Sequence, residues 1–172
     1  MRKFKKHRDF IFIMLAALAV SAFSIQPLNE RLAQKNLPIA TGDIWQKLAK
    51  CKVGVDEKKG IYFITNTPEV KALAGKEITV QGFMLPLEST AKHSHFLLSK
   101  RTPTCPYCMP GEPNEIFEVY AKTPVEYTDG MLNITGTLEL MNDPSKGLFF
   151  KLAKARGSVL TVPKMENKNK PV

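Results

Sequence analysis

The sequence predicts an all-β fold with minor helix: a small five-stranded antiparallel, OB-like barrel preceded by a signal peptide or an N-terminal anchor. Three observations carry that expectation. Five strand-like segments crowd the stretch from Lys76 to Ala155, with turn signals between them. Two of them, "KEITVQGFMLPL" and "MLNITGTLEL", hold a glycine at mid-strand, Gly82 and Gly136, where a small closed sheet must bend. Helical periodicity is confined to two short pieces ahead of the strands. A two-sheet sandwich is the runner-up.

The elements follow in chain order. "MRKFKKHRD" sets Arg2, Lys3, Lys5, Lys6 and Arg8 against the single Asp9, so roughly half of the net charge of +9 sits in the first few residues. An apolar run from Phe10 follows, interrupted by Ser21 and Ser24 and ending near Ile25. A basic head, a short apolar core and the small-residue box Val20-Ser21-Ala22 describe a secretory signal, with the mature chain starting at Phe23. The same run read as an uncleaved inner-membrane anchor falls short of the ~20 residues a spanning helix needs. Positive-inside orientation puts the rest of the chain in the periplasm, either soluble or tethered by this segment. Residues 26–42, polar and punctuated by Pro27 and Pro38, read as a linker.

Residues 43–163 read as the OB-like domain. "TGDIWQKLAKCKV" is a short helix with Asp43 as cap and Ile44, Trp45, Leu48 and Cys51 on one face. "GIYFITN" is a strand. "TPEVKALAG" is a helical turn or two, with Thr67 as cap, Pro68 at the first position and Gly75 as stop. The five barrel strands are then "KEITVQGFMLPL", "HSHFLLS", "NEIFEVYAK", "MLNITGTLEL" and "GLFFKLAKA", the last two joined by the turn "NDPSKG". Residues 164–172 read as a disordered tail.

Composition bounds function. With 172 residues, 44% hydrophobic and 24% charged, the chain can fill one core. Outside the basic head it is only mildly basic, and it shows no basic stripe interleaved with stacking aromatics, so nucleic acid is excluded as a partner. Neither a phosphate loop nor a Ser-His-Asp order nor a convincing pair of carboxylates is present, which favours binding over catalysis.

The chemistry concentrates in "RTPTCPYCMPGEPNE", Arg101 to Glu115, which holds two of the three cysteines. Three readings stay open. As a redox pair, Cys105 and Cys108 lack the helix that would lower a thiol pKa, because Met109, Pro110, Gly111 and Pro113 cannot continue one. As half of a zinc site, they need more ligands. His93 and His95, two apart on a strand and therefore on one face, would complete a Cys2His2 set. The plain alternative leaves both histidines in solvent. As a disulfide in an oxidising compartment, Cys105 and Cys108 would close a tight and reducible ring. Cys51 is then a buried free thiol, with a pairing to either loop cysteine still possible. Glu88 and Glu115 read as solvated turn glutamates, and Asn114 as a partner for the loop's own backbone. Met84, Met109 and Met141 read as packing residues.

The blocks "VKALAGKEITVQGFMLPLE", "FLLSK", "CPYCMPGEPNEIFEVYAK", "ITGTLEL" and "GLFFKLAKA" resemble a family of exported bacterial proteins catalogued as a domain of unknown function. The likeness spans most of Trp45 to Ala155, and "GFMLPLE" and "CPYCMPGEPNE" are its specific parts. It implies a small periplasmic or lipid-anchored protein with an OB-like barrel, encoded near ABC-type transporter components, some of them linked to zinc supply. It implies no reaction. The chain departs from lipid-anchored members in lacking a cysteine near the signal cleavage point. Some relatives carry Cys-x-His at the "CPYC" position, which weighs toward a metal role. The expected function is therefore a periplasmic binding or accessory module that handles metal, with the loop holding Cys105 and Cys108 as its functional edge; the alternatives are a thiol-disulfide redox protein and a protein-interaction module in which that pair is a structural disulfide. Zinc is its one suggested cofactor and a membrane transporter or other envelope protein its partner, with membrane contact only through the N-terminal segment.

Overall fold

The structure, a computed structural model, describes residues 36–104, 110–143 and 147–159. The signal or anchor segment, most of the linker, the "CPYC" cysteines and the tail lie outside the described residues. Among the described residues no helix is long and apolar enough to cross a membrane.

The first described elements are a helix, α1 (Asp43–Ala49), and a two-stranded hairpin, β1 (Lys52–Asp56) and β2 (Ile61–Thr65). Two sequence expectations are corrected here. Asp43 is the first helical residue rather than the cap, and its carboxylate instead pairs with Lys47 one turn on. The helix also stops before Cys51, and "KVGVD" forms a strand. Val53 and Val55 are β-branched and Gly54 is a poor helix former. The turn that follows gives β1 a partner: Asp56 Oδ1 accepts from the amides of Lys58 and Lys59. Next comes α2 (Pro68–Lys71), with Thr67 Oγ1 accepting from Val70 N at 3.3 Å and Gly75 beyond it at φ 76°, as expected.

Five strands then close a barrel: β3 (Glu77–Pro86), β4 (Lys92–Ser99), β5 (Ile116–Glu126), β6 (Met131–Asp143) and β7 (Leu148–Val159), in ring order β3-β4-β5-β7-β6. A 3-10 turn, Pro113–Glu115, leads into β5. Counted along the chain, the barrel order is 1-2-3-5-4, the connectivity of an OB barrel. The expectation of a wholly antiparallel barrel is corrected, because β5 and β7 pair in parallel. The reason is parity. Strand directions cannot alternate all the way round a ring of five, so at least one neighbouring pair must run the same way.

The mid-strand glycines lie where the barrel coils. β3 pairs with β6 up to Phe83 and with β4 from Phe83 onward, so Gly82 sits where the strand changes partners. A Cβ on Gly82 would lie 2.7 Å from Ser99 O and 2.8 Å from Leu98 Cγ. Gly136 marks a register shift against β7, and its Cβ would lie 3.0 Å from Ala153 O. Gly82 needs the close backbone approach that glycine allows, and at Gly136 a side chain would require its neighbours to give by a few tenths of an ångström.

Inside, Phe96, Leu98, Phe117, Val119, Leu132, Ile134, Phe150 and Leu152 are fully buried. Helix α1 lies against this core. Trp45 packs edge-on against Phe117, with ring centroids 5.3 Å apart, and its indole donates to Gln81 O at 2.7 Å. The described part of the expected linker also joins this unit. Ile39 bridges Arg101 in antiparallel fashion, and Ala40 is buried in the core. The compact unit accordingly begins at Pro38, ahead of the Asp43 boundary read from composition.

Candidate functional site

The proline-rich loop runs from the end of β4 to the start of β5, and two side chains join its ends. Arg101 precedes the loop and Glu115 closes it. Glu115, only 8% exposed, accepts from Arg101 Nε at 2.6 Å, Arg101 Nη2 at 3.2 Å and Lys100 Nζ at 3.0 Å. Its carboxylate also accepts from Glu112 N at 3.3 Å, the reciprocal half of a capping box on the 3-10 turn. Burial alone would raise the Glu115 pKa. The hydrogen bonds from Arg101 and Lys100 outweigh it and hold the carboxyl below its ordinary value. Lys100 N donates to Glu115 O at 2.9 Å, which adds a backbone rung beneath the ion cluster.

Glu115 is therefore not the solvated turn residue expected. The signal that could have found it is the Lys100-Arg101 pair at the opposite end of a loop closed by two strands. Asn114 is a second correction. Its Nδ2 donates to Leu48 O at 3.2 Å, so it ties the loop's end to α1 rather than to the loop's own backbone. Leu48 O also accepts from Cys51 N at 3.0 Å. Cys51 is buried, as expected, with Sγ 3.7 Å from Asn66 Oδ1. Glu88 is exposed.

The two histidines are not brought to one face. His95 opposes Tyr120 across the β4–β5 ladder and His93 opposes Val125, with a register shift between the two pairs. Residues directly opposite across an antiparallel ladder share a side. Val125 belongs to the main core, so His93 is turned inward. It is 2% exposed, with Nδ1 3.4 Å from Thr90 Oγ1 and with Nε2 lacking a hydrogen-bond partner among the described residues. His95 stands on the outer side, stacked on Tyr120 at 4.3 Å, and its Nε2 lies 2.9 Å from Glu118 Oε1. The period-two reading failed because it assumed an unbroken ladder.

Glu118, which the sequence reading missed, is 6% exposed and accepts a second bond from Tyr120 OH at 3.0 Å. Lys151 Nζ lies 5.5 Å from the Tyr120 ring centroid and pairs with Glu139 at 2.6 Å. Leu97, Glu118, Lys151 and Glu139 are successive register partners across β4, β5, β7 and β6, so they form one outward row. Such a row is invisible until strand order and register are known.

Among the described residues no group of three or more His, Cys, Asp or Glu is placed to hold a metal ion. The described half of the expected Cys105, Cys108, His93 and His95 set does not converge. Cys105 and Cys108 themselves lie outside the described residues. A groove of about 430 Å³ borders the start of the loop, between Phe83–Pro86 of β3, residues 102–104 and the turn at 127–129.

Fold and site define a small OB-like barrel with one long proline-rich loop whose two ends are joined by a half-buried ion cluster around the buried Glu115. The sequence matches the family described as "Protein of unknown function (DUF3299)" over residues 25–149, and the chain belongs to that family. It is similar to a DUF3299 family protein from Pseudomonas aeruginosa PAO1, known from a crystal structure. The two are 20% identical with a TM-score of 0.46, and the match covers 72% of this chain and 87% of that one. No curated protein matches the sequence.

Proposed function

We propose that the protein is an exported accessory module of the cell envelope that binds a partner through the loop from Thr102 to Asn114. The observation that carries this reading is the cluster of Lys100 and Arg101 on the buried Glu115 carboxylate. A loop needing only to connect β4 to β5 has no use for such a stem, whereas a loop that presents a fixed surface does. The basic head and short apolar run of the N-terminus support export. The partner class is a membrane transporter component or another envelope protein, met from the periplasmic side.

Cys105 and Cys108 are read as a disulfide that stiffens the loop. The ring is short, so closure contributes at most ~2 kcal/mol. A second reading, zinc held by the same pair with one imidazole, is favoured by a single observation. His95 Nε2 is oriented by a buried carboxylate, the arrangement that commonly fixes the other ring nitrogen of an imidazole on a metal. Bound there, zinc would supply a structural link rather than a reaction. His93 has no part in that version.

One experiment separates the two. Full-length protein is recovered from an oxidising compartment, and its thiols are counted after denaturation without reductant, alongside zinc analysis. The disulfide reading expects Cys51 alone to react, and a second reactive thiol in Cys105→Ser. The zinc reading expects about one equivalent of zinc, lost in Cys105→Ser and reduced in His95→Ala. Three reactive thiols with no zinc would refute both. Export is tested separately by fusing residues 1–40 to a reporter active only outside the cytoplasm; cytoplasmic retention refutes it.

A further inference from the structure

The β1–β2 hairpin is a two-stranded sheet of its own, separate from the barrel sheet. β2 runs beside the 3-10 turn and packs Ile64 against the core, whereas among the described residues β1 pairs with β2 alone. β1 is therefore the outer strand, and alternate residues along it turn their N–H and C=O groups to an edge that no strand covers. The hairpin also leaves large apolar side chains in solvent: Val55 is 49% exposed, Tyr62 42% and Phe63 49%. Phe63 reaches across β1, and its ring tip lies 2.2 Å from where a Cβ on Gly54 would be. A hairpin of two strands is marginal in water unless more strands join it.

The residues of β1 specify which strand fits. Lys52-Val53-Gly54-Val55-Asp56 is complementary to itself when two copies run antiparallel about Gly54. Lys52 then lies opposite Asp56 of the second copy at both ends, and Val53 opposite Val55. Directly opposed side chains share a face and interact. On one face the Val55–Tyr62 pair of one copy continues into the Val53–Ile64 pair of the other as a single apolar row. On the other face each Phe63 ring tip occupies the place of a glycine Cβ. The two tips therefore approach to about 5 Å, the spacing of opposed Cβ atoms. The charges are available for such pairing. Lys52 is exposed. Asp56 Oδ1 serves the turn amides, and Oδ2 has Lys59 Nζ at 3.9 Å, on a side chain that is itself 72% exposed. Running the two copies parallel and in register would instead set lysine against lysine and aspartate against aspartate, which disfavours open stacking.

We propose that β1 is a self-pairing edge: two copies of this chain join through it into a four-stranded sheet, β2-β1-β1-β2, closed by a two-fold axis at Gly54. One short strand a side is less than a permanent interface needs, so the dimer is reversible. The proline-rich loop takes no part, and the inference stands apart from the proposed function.

Sedimentation velocity tests it on the full chain, in reductant so that no intermolecular disulfide contributes. The concentration is raised to about 1 mM, where a contact of this size is populated. Two variants accompany the wild type. Lys52→Glu sets like charges against each other at both ends of the pairing, and Val55→Lys puts a cation into the valine row. Both side chains are exposed in the single chain, so both variants should keep the wild-type circular dichroism spectrum. The expected result is a concentration-dependent dimer in wild type, with association weakened at least about tenfold in each variant. Hydrogen exchange at the β1 amides should slow as concentration rises, with the β5 amides unchanged. A wild-type monomer at every concentration overturns the proposal. So does a dimer that forms as strongly in either variant, since association through another segment would survive the substitution. A dimer whose β1 exchange is independent of concentration overturns it as well, because the copies would then be joined elsewhere.

Discussion

Replacing Glu115 with glutamine tests the stem directly. The carboxylate takes three charged donors and one backbone amide, and glutamine keeps its shape while turning an N–H2 toward one of the cations. Removing one partner of a buried ion pair costs ~3–5 kcal/mol. That figure is too large here, because the Lys100 and Arg101 side chains are 22% and 38% exposed and can recover water. The expected loss is ~2–3 kcal/mol, or about 6–12 °C in Tm for a folded unit of this size. Denaturant unfolding at neutral pH reads it. The pH dependence gives a second check. The folded Glu115 carboxyl is held below its ordinary value near 4.5, so as pH falls the unfolded chain takes up the proton first. The cluster's contribution is complete above that value and is lost as pH falls through the folded one. The gap between wild type and Glu115→Gln should therefore narrow below about pH 4.5. A neutral-pH loss under about 0.5 kcal/mol, or a gap that stays constant into acid, would refute the reasoning.

Three further outcomes are expected. Gly82→Ala places a Cβ 2.7 Å from Ser99 O at the point where β3 changes partners, and should cost ~1–3 kcal/mol; an unchanged denaturation midpoint would show that the strand yields freely. Phe117→Ala empties the space between Trp45, at 5.3 Å, and Phe150, at 5.8 Å, and should cost ~3–5 kcal/mol, a loss below about 1 kcal/mol being incompatible with a packed barrel centre. Neutral His95 should carry its proton on Nε2, donated to Glu118, with Nδ1 unprotonated; nitrogen NMR showing the opposite tautomer would remove the basis for the zinc reading.

The residues themselves determined the barrel's five strands, its two bends and the cap of α2. These are local properties: alternation of apolar side chains, a glycine where no Cβ fits, a threonine three residues ahead of an orphan amide. The break between the second and third barrel strands was legible too, because prolines at that density cannot continue a strand or a helix. Tertiary structure decided everything that depends on which strand neighbours which. The parallel β5–β7 pair follows from closing a ring of five and leaves no mark on either strand's sequence. His93 and His95 look equivalent along β4, yet a register shift against β5 turns one inward and the other out. Glu115 and Glu118 look like ordinary surface carboxylates. They become buried acceptors only because the fold brings Lys100 and Arg101 to one and His95 and Tyr120 to the other. The physical reason is common to all of these. Periodicity encodes which side of a strand a residue occupies, but the free energy of a buried charge depends on partners that lie far away in sequence and meet only when the barrel closes.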